Sequence, residues 1–265
     1  MTPNFEQRRK GLRTMLAVDF RRLWSMPLYY ITVGASFVMP ILILVMTTMM
    51  DGSVTVDPQT GAETVIEGFD NVWQIIGSVR SAGMDMSMGM TAMCNLNLLY
   101  FLVAVPLCMF VAEDFRSGYA KNLFTLRPRK GSYVLSKTLV GFVLGASMVI
   151  AFFAGSLAGG AVAGLPFDME GFTGANLGWC LLCKVLLMGM FAALDLLWAA
   201  VARQRLWLSL VGALGSGMFL FMMSPLLTPL DAAAGDALIC LLGSAGLGLG
   251  LGVVSRTILA RADLV

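Results

Sequence analysis

These 265 residues contain no histidine, and only 13% of them are charged. The first absence removes His-based nucleophilic triads, His-ligated zinc and His proton relays. The second removes an ordinary soluble domain, in which about a quarter of residues are charged. Cysteine is sparse, with five scattered through or beside apolar segments. Only Cys180 and Cys183 stand close, as Cys-Leu-Leu-Cys, and no thioredoxin-like βαβ pattern surrounds them, so they read as packing residues. A phosphate loop is also missing. The stretch Gly131-Ser-Tyr-Val-Leu-Ser136-Lys137-Thr138 has Ser136 where the second glycine belongs, and it follows a basic turn instead of a buried strand. With no room for an ATPase domain, any ATP that drives this chain is bound by another subunit. No catalytic constellation is left, so the chain is not expected to be an enzyme.

What is present is hydrophobic length. The mean hydropathy is +0.81. Apolar runs at about 27–50, 89–112, 136–164, 177–202, 206–227 and 237–254 are each long enough, as helices, to cross about 30 Å of hydrocarbon. The predicted fold is therefore an all-α integral membrane protein with six transmembrane helices. Pro106 predicts a kink near the inner end of the second span. The third span carries Gly141, Gly145, Gly155, Gly159, Gly160 and Gly164, a small-residue stripe that permits close helix contact, and the sixth is also glycine-rich. Ahead of the first span, residues 1–26 hold Arg8, Arg9, Lys10, Arg13, Arg21 and Arg22. Leu12, Met15, Leu16, Phe20, Leu23 and Trp24 recur among them at three- and four-residue steps. This predicts a basic amphipathic helix lying in the membrane interface, an elbow into the first span. A nucleic-acid arm shares that periodicity, but the direct junction with a span favours the elbow. The long apolar run without a small-residue cleavage site excludes a cleaved signal peptide.

Charge orients the spans. Sixteen of the eighteen Lys and Arg residues fall on one side of the six-span layout, and ten of the sixteen acids on the other. The positive-inside rule places both termini in the cytoplasm, with residues 257–265 as a short tail. The outer segment 51–88 holds a turn at Asp57-Pro58-Gln59-Thr60-Gly61 and a short interfacial helix carrying Phe69, Val72, Trp73 and Ile76. There is no convincing internal repeat, so an inverted-repeat transporter gains no support.

The longest inner bridge, Glu113 to Lys137, reads EDFRSGYAKNLFTLRPRKGSYVLSK and carries six of the eighteen basic residues. Phe115, Tyr119, Leu123 and Leu126 fall at helical spacing and predict a short amphipathic helix, with Pro128 ending it and Gly131 turning the chain. By charge alone it is a solvated topology signal; by residue order it is a docking handle. Glu113, Gly118, Leu123, Pro128, Arg129 or Lys130, Tyr133, Leu135 and Lys137 resemble the first cytoplasmic loop of ABC-2-type transporter permeases. One departure is that Arg129 follows Pro128 directly, where that family has an apolar and a small residue between. The resemblance implies the membrane subunit of a bacterial exporter, akin to the antibiotic-export and immunity branches, in the cytoplasmic membrane. It would pair with a second permease subunit, identical or not, and with cytoplasmic ATP-binding subunits that hold the ATP and Mg; no cofactor is expected on this chain. The cargo would be amphiphilic: a peptide antibiotic, a drug or a lipid. The implied coupling residues are Glu113, Arg116, Gly118, Tyr119, Leu123, Pro128, Arg129, Lys130 and Lys137.

Two ionisable residues lie well inside a span, Lys184 and Asp195. Each costs roughly 2.5–3.5 kcal/mol at the bilayer centre, so neither should face lipid. Eleven residues apart, they share a helix face but sit about 16 Å apart along the axis and cannot pair. Either this face lines a path or subunit interface, or Lys184 snorkels outward while Asp195 pairs with Arg203 or another arginine. An ATP-independent transporter or channel would have to use these two. Met84, Met86, Met88, Met90 and Met93 with Cys94 offer soft ligands for Cu(I), but 20 methionines in the chain make this set read as composition, so no metal is assigned.

Overall fold

The computed structural model describes residues 5–56, 63–80, 94–126 and 130–261. The turn at Asp57–Gly61, the Met84–Met93 set, the expected start of the second span at Gly89, and Pro128 and Arg129 lie outside the described residues. Among the described residues eight helices follow in order: α1 Phe5–Ser25, α2 Pro27–Met50, α3 Leu96–Arg116, α4 Tyr119–Leu126, α5 Lys130–Ala163, α6 Gly174–Ala202, α7 Leu206–Leu227 and α8 Ala234–Arg261. Six of them, α2, α3 and α5 to α8, are long and apolar enough to cross a membrane. A small antiparallel hairpin joins β1, Val54–Val56, to β2, Glu63–Val65.

Local chemistry sets the helix ends. Met26 is extended and Pro27 opens α2, where its missing N–H would have no partner anyway. Thr173 caps α6 by accepting from the Asn176 amide, so this helix starts three residues ahead of the expected span. Gly164 takes φ 71° after α5, and the Leu165 amide donates back to Gly160 O at 3.0 Å, a Schellman closure. Val103 interrupts α3 three residues before Pro106, nearer its middle than its end. Further boundaries differ from expectation. Helix α3 continues past Ala112 to Arg116, α5 begins at Lys130 instead of Ser136, and α8 runs through the expected tail to Arg261. Gly131 therefore does not turn the chain. It lies inside α5 beside the Arg256 stem of α8, where a Cβ would make an ordinary contact with Arg256 Cδ at 3.5 Å. Among the described residues of the bridge, the turn is at Gly118, φ 74°.

Helices α5 and α6 form the middle of the bundle. α2 packs on α5, α3 and α7 pack on α6, and α8 packs on both. The glycine stripe of α5 makes this possible. A Cβ on Gly155 would lie 2.0 Å from Phe37 O, and one on Gly159 would lie 2.8 Å from Ile41 Cα, so α2 rests backbone to backbone on α5. The glycines of α8 do not act this way: Gly243, Gly246, Gly248 and Gly250 have nothing within 4 Å. Large side chains such as Trp207, Phe219 and Leu249 point outward from α7 and α8. The α1 end and the far end of the bundle are closed differently. At the far end, a 3-10 turn at Val72–Ile75 tucks into the core with Val72, Ile75 and Ile76 fully buried.

Candidate functional site

Helix α1 lies along the start of α5 with Met15, Asp19 and Leu23, one turn apart, on its buried face. An acid in that stripe needs a partner, and it has two. Lys137 Nζ of α5 stands 2.8 Å from Asp19 Oδ1, and Ser136 Oγ donates to Asp19 Oδ2 at 2.6 Å. The same Nζ stands 2.7 Å from Asp114 Oδ2 of α3, to which Tyr133 OH also donates at 3.0 Å. Arg22 Nη1 donates to Asp114 Oδ1 at 2.6 Å. Two carboxylates and two cations thus close a neutral cluster across α1, α3 and α5. Asp19, Asp114 and Lys137 are wholly buried, and the Arg22 side chain is 29% exposed. Burial pulls the Arg22 guanidinium down, but Asp114, as charge and as acceptor, carries it above its ordinary value. The Phe110 ring lies 3.9 Å beneath Lys137 Nζ.

The bridge hangs from this cluster. Glu113 and Arg116 occupy the last turn of α3 and are exposed. After the Gly118 turn, α4 presents Ala120 and Phe124 to a core cluster with Met15, Phe115, Tyr133 and Leu259, and Leu123 packs at its edge. Tyr119 is half-buried, its ring 4.8 Å from the Arg22 guanidinium carbon. Lys121 and Asn122 face outward. Lys130 Nζ donates to Leu259 O at the end of α8, where a cation meets the free carbonyls and the negative end of the helix. So among the described coupling residues, Glu113 and Arg116 are open to a partner, Gly118 shapes the turn, and Tyr119, Leu123 and Lys130 face inward. Lys137 needs correction: expected as a docking residue, it is fully buried and holds two acids.

Lys184 and Asp195 also behave differently from the snorkelling and pairing reading. Lys184 does not reach outward; its Nζ is buried and donates at 2.9 Å both to Asn97 Oδ1, at the start of α3, and to Thr228 Oγ1, at the end of α7. Asp195 does not pair with Arg203; it is 1% exposed, and its Oδ2 has no partner among the described residues. Neither side chain reaches the bundle's outer surface, so neither is offered to a second chain. Cys180 and Cys183 are buried, with Cys180 Sγ donating to Thr228 O at 3.5 Å.

Asp19 and Asp114 were not singled out in the sequence. A partial signal was there: each acid sits at a helical step from large apolar residues, Asp19 between Met15 and Leu23 and Asp114 four after Phe110, but Glu113 stands at such a step too, three after Phe110, so spacing alone does not single Asp114 out. No family model, curated protein or solved structure matches the chain.

Proposed function

We propose that this chain is the permease subunit of an ATP-driven, ABC-2-type exporter. In this reading a separate cytoplasmic ATP-binding subunit moves it through α4 and the end of α3, and two membrane subunits, identical or not, enclose the path. The observation that carries it is the joint placement of α4 and the buried Asp19–Lys137–Asp114–Arg22 cluster. A push on the exposed Glu113, Arg116 and Lys121 is delivered to α1, α3 and α5 together, because one closed charge cluster ties all three. Buried ionic clusters have few alternative arrangements, so they transmit displacement instead of absorbing it. The α1 end is then cytoplasmic, in the membrane of a bacterial cell, and the cargo is an amphiphile that leaves at the far end. This chain performs no covalent step.

The test is capture in detergent of candidate ATP-binding subunits from the chain's own operon, with native protein and with Glu113→Lys and Lys121→Glu. These substitutions are exposed and leave the cluster intact. Capture by the native chain and its loss in the variants supports the reading. Equal capture by all three places the docking surface elsewhere; no capture at all removes the permease assignment. A second reading, an ATP-independent transporter or channel, is favoured by one observation, the unpartnered Asp195 Oδ2 deep in α6. It requires ion-dependent flux from the chain alone in vesicles, abolished in Asp195→Asn.

A further inference from the structure

Residues 69–80 fill the far end of the bundle with side chains as buried as those of the central helices. Val72, Ile75 and Ile76 are fully buried, and Phe69 and Trp73 nearly so. Yet among its described residues the segment has one complete 3-10 turn, Val72–Ile75, and no α-helical ladder to fix it in place. Its polar fastenings go to the two far-end connections. Val72 N donates to Pro166 O at 3.2 Å, and Asn71 Nδ2 donates to Asp168 O at 2.7 Å. Leu230 N donates to Ser78 O at 2.8 Å. Arg80 holds Asp231 Oδ1 through its backbone amide at 3.0 Å and Asp236 Oδ1 through its guanidinium at 2.8 Å. That last pair is exposed and therefore weak. The Trp73 indole N–H is buried with no acceptor among the described residues, a cost in the seated state that contact with water would relieve. The fit depends on Gly160, where a Cβ would lie 2.1 Å from Val72 Cγ2.

We infer that residues 69–80 are a movable plug over the far end of the path, lifting together with the connection 228–233. The inference rests on the permease reading and adds the exit gate to it. Plug and connection move as one because Ser78 and Arg80 are bonded to Leu230 and Asp231, whereas the weak exposed Arg80–Asp236 pair to the start of α8 is released. Thr228 begins that connection and is one of the two acceptors of Lys184 Nζ. Lifting withdraws it and uncovers the Lys184 amine, which has no carboxylate partner among the described residues. The first polar group met on the opened side is thus a hydrogen-bond donor, suited to a carboxylate or phosphate on the cargo.

The experiment measures plug seating directly. Ile75→Cys is placed in a Cys94→Ser background, since the other four cysteines are buried. The protein is reconstituted in vesicles and exposed at the far end to a membrane-impermeant maleimide. Val149→Cys in the core of α5 serves as the control position. Ile75→Cys is expected to react slowly, and about tenfold faster or more when Gly160→Val displaces Val72. Arg80→Ala gives a smaller acceleration of the same kind without touching the core. The control stays protected throughout. In the complex with its ATP-binding subunit, the Ile75→Cys rate rises during ATP turnover. Acceleration of both positions together would mean a loosened bundle, not a lifted plug. An unchanged Ile75→Cys rate in Gly160→Val, or during turnover, overturns the gate. The vesicle arm needs no ATP-binding subunit, so failed partner capture and failed plug movement are separate results.

Discussion

Lys137→Met removes one charge and keeps most of the stem volume. Asp19 and Asp114 then remain buried with two negative charges, and the bonds left to them here come from Ser136, Tyr133 and the partly exposed Arg22. Removing one partner of a buried ion pair costs about 3–5 kcal/mol. Here the lost group serves two carboxylates at 2.8 and 2.7 Å and also lies over the Phe110 ring, so the upper part of that range, about 4–5 kcal/mol, is expected. The triple variant Asp19→Asn, Asp114→Asn, Lys137→Met removes all three wholly buried charges. Neutral replacement of a buried ionic group is often close to neutral overall, so most of the loss should return. Arg22, partly exposed, can turn to water. The assay is reversible unfolding in mixed micelles of increasing denaturing detergent, followed by far-UV circular dichroism. A single-variant loss below about 1 kcal/mol, the size of an exposed pair, would refute a closed dry cluster. Equal losses in single and triple variants would show that Lys137 acts by packing alone.

The same titration checks four further expectations. Gly155→Leu drives a side chain into Phe37 O and should cost about 3 kcal/mol or more, by parting α2 from α5. Gly246→Leu on α8 meets nothing and should stay within about 0.5 kcal/mol of native stability. Lys184→Met should be within about 1 kcal/mol of native or more stable, the reverse of Lys137→Met, because its amine is bonded to neutral oxygens and no carboxylate is left unpaired. Lys130→Ala should cost about 0.5–1 kcal/mol and speed amide exchange in the last turn of α8, whose terminal carbonyls it caps.

Period and length made the six long helices readable from the sequence. Pro27–Met50 and Leu206–Leu227 match their expected spans residue for residue, since each is an apolar run closed by polar or helix-ending residues. Boundaries slipped where a polar residue found a partner in another element. Helix α3 carries Asp114 past the apolar run because Lys137, Arg22 and Tyr133 satisfy it, and α5 starts early because Lys130 reaches α8. Hydropathy counts an acid as a reason to leave the membrane, so it cannot foresee an acid with a partner waiting. Glycine was ambiguous for a related reason: the stripes on α5 and α8 look alike in sequence, but only the one on α5 has a neighbour whose backbone comes close. The far-end plug carried too few residues for a period, and only its Phe69, Val72, Trp73 and Ile76 spacing hinted at burial.

The inward turn of Lys137 changes which residues can distinguish docking from structure. A charge reversal at Lys137 would lose a partner by collapsing the α1–α3–α5 cluster, whether or not the bridge docks anything. Lys130 has a similar ambiguity, since it caps α8. The informative positions are those exposed on elements the cluster already holds: Glu113, Arg116 and Lys121. Reversal at these three leaves every described bond of Asp19, Asp114, Arg22 and Lys137 in place. Loss of partner capture there, with an unchanged unfolding midpoint, can only come from the surface. Loss accompanied by a lowered midpoint would mean that α4 itself had detached, and that the handle and its anchor are one cooperative unit.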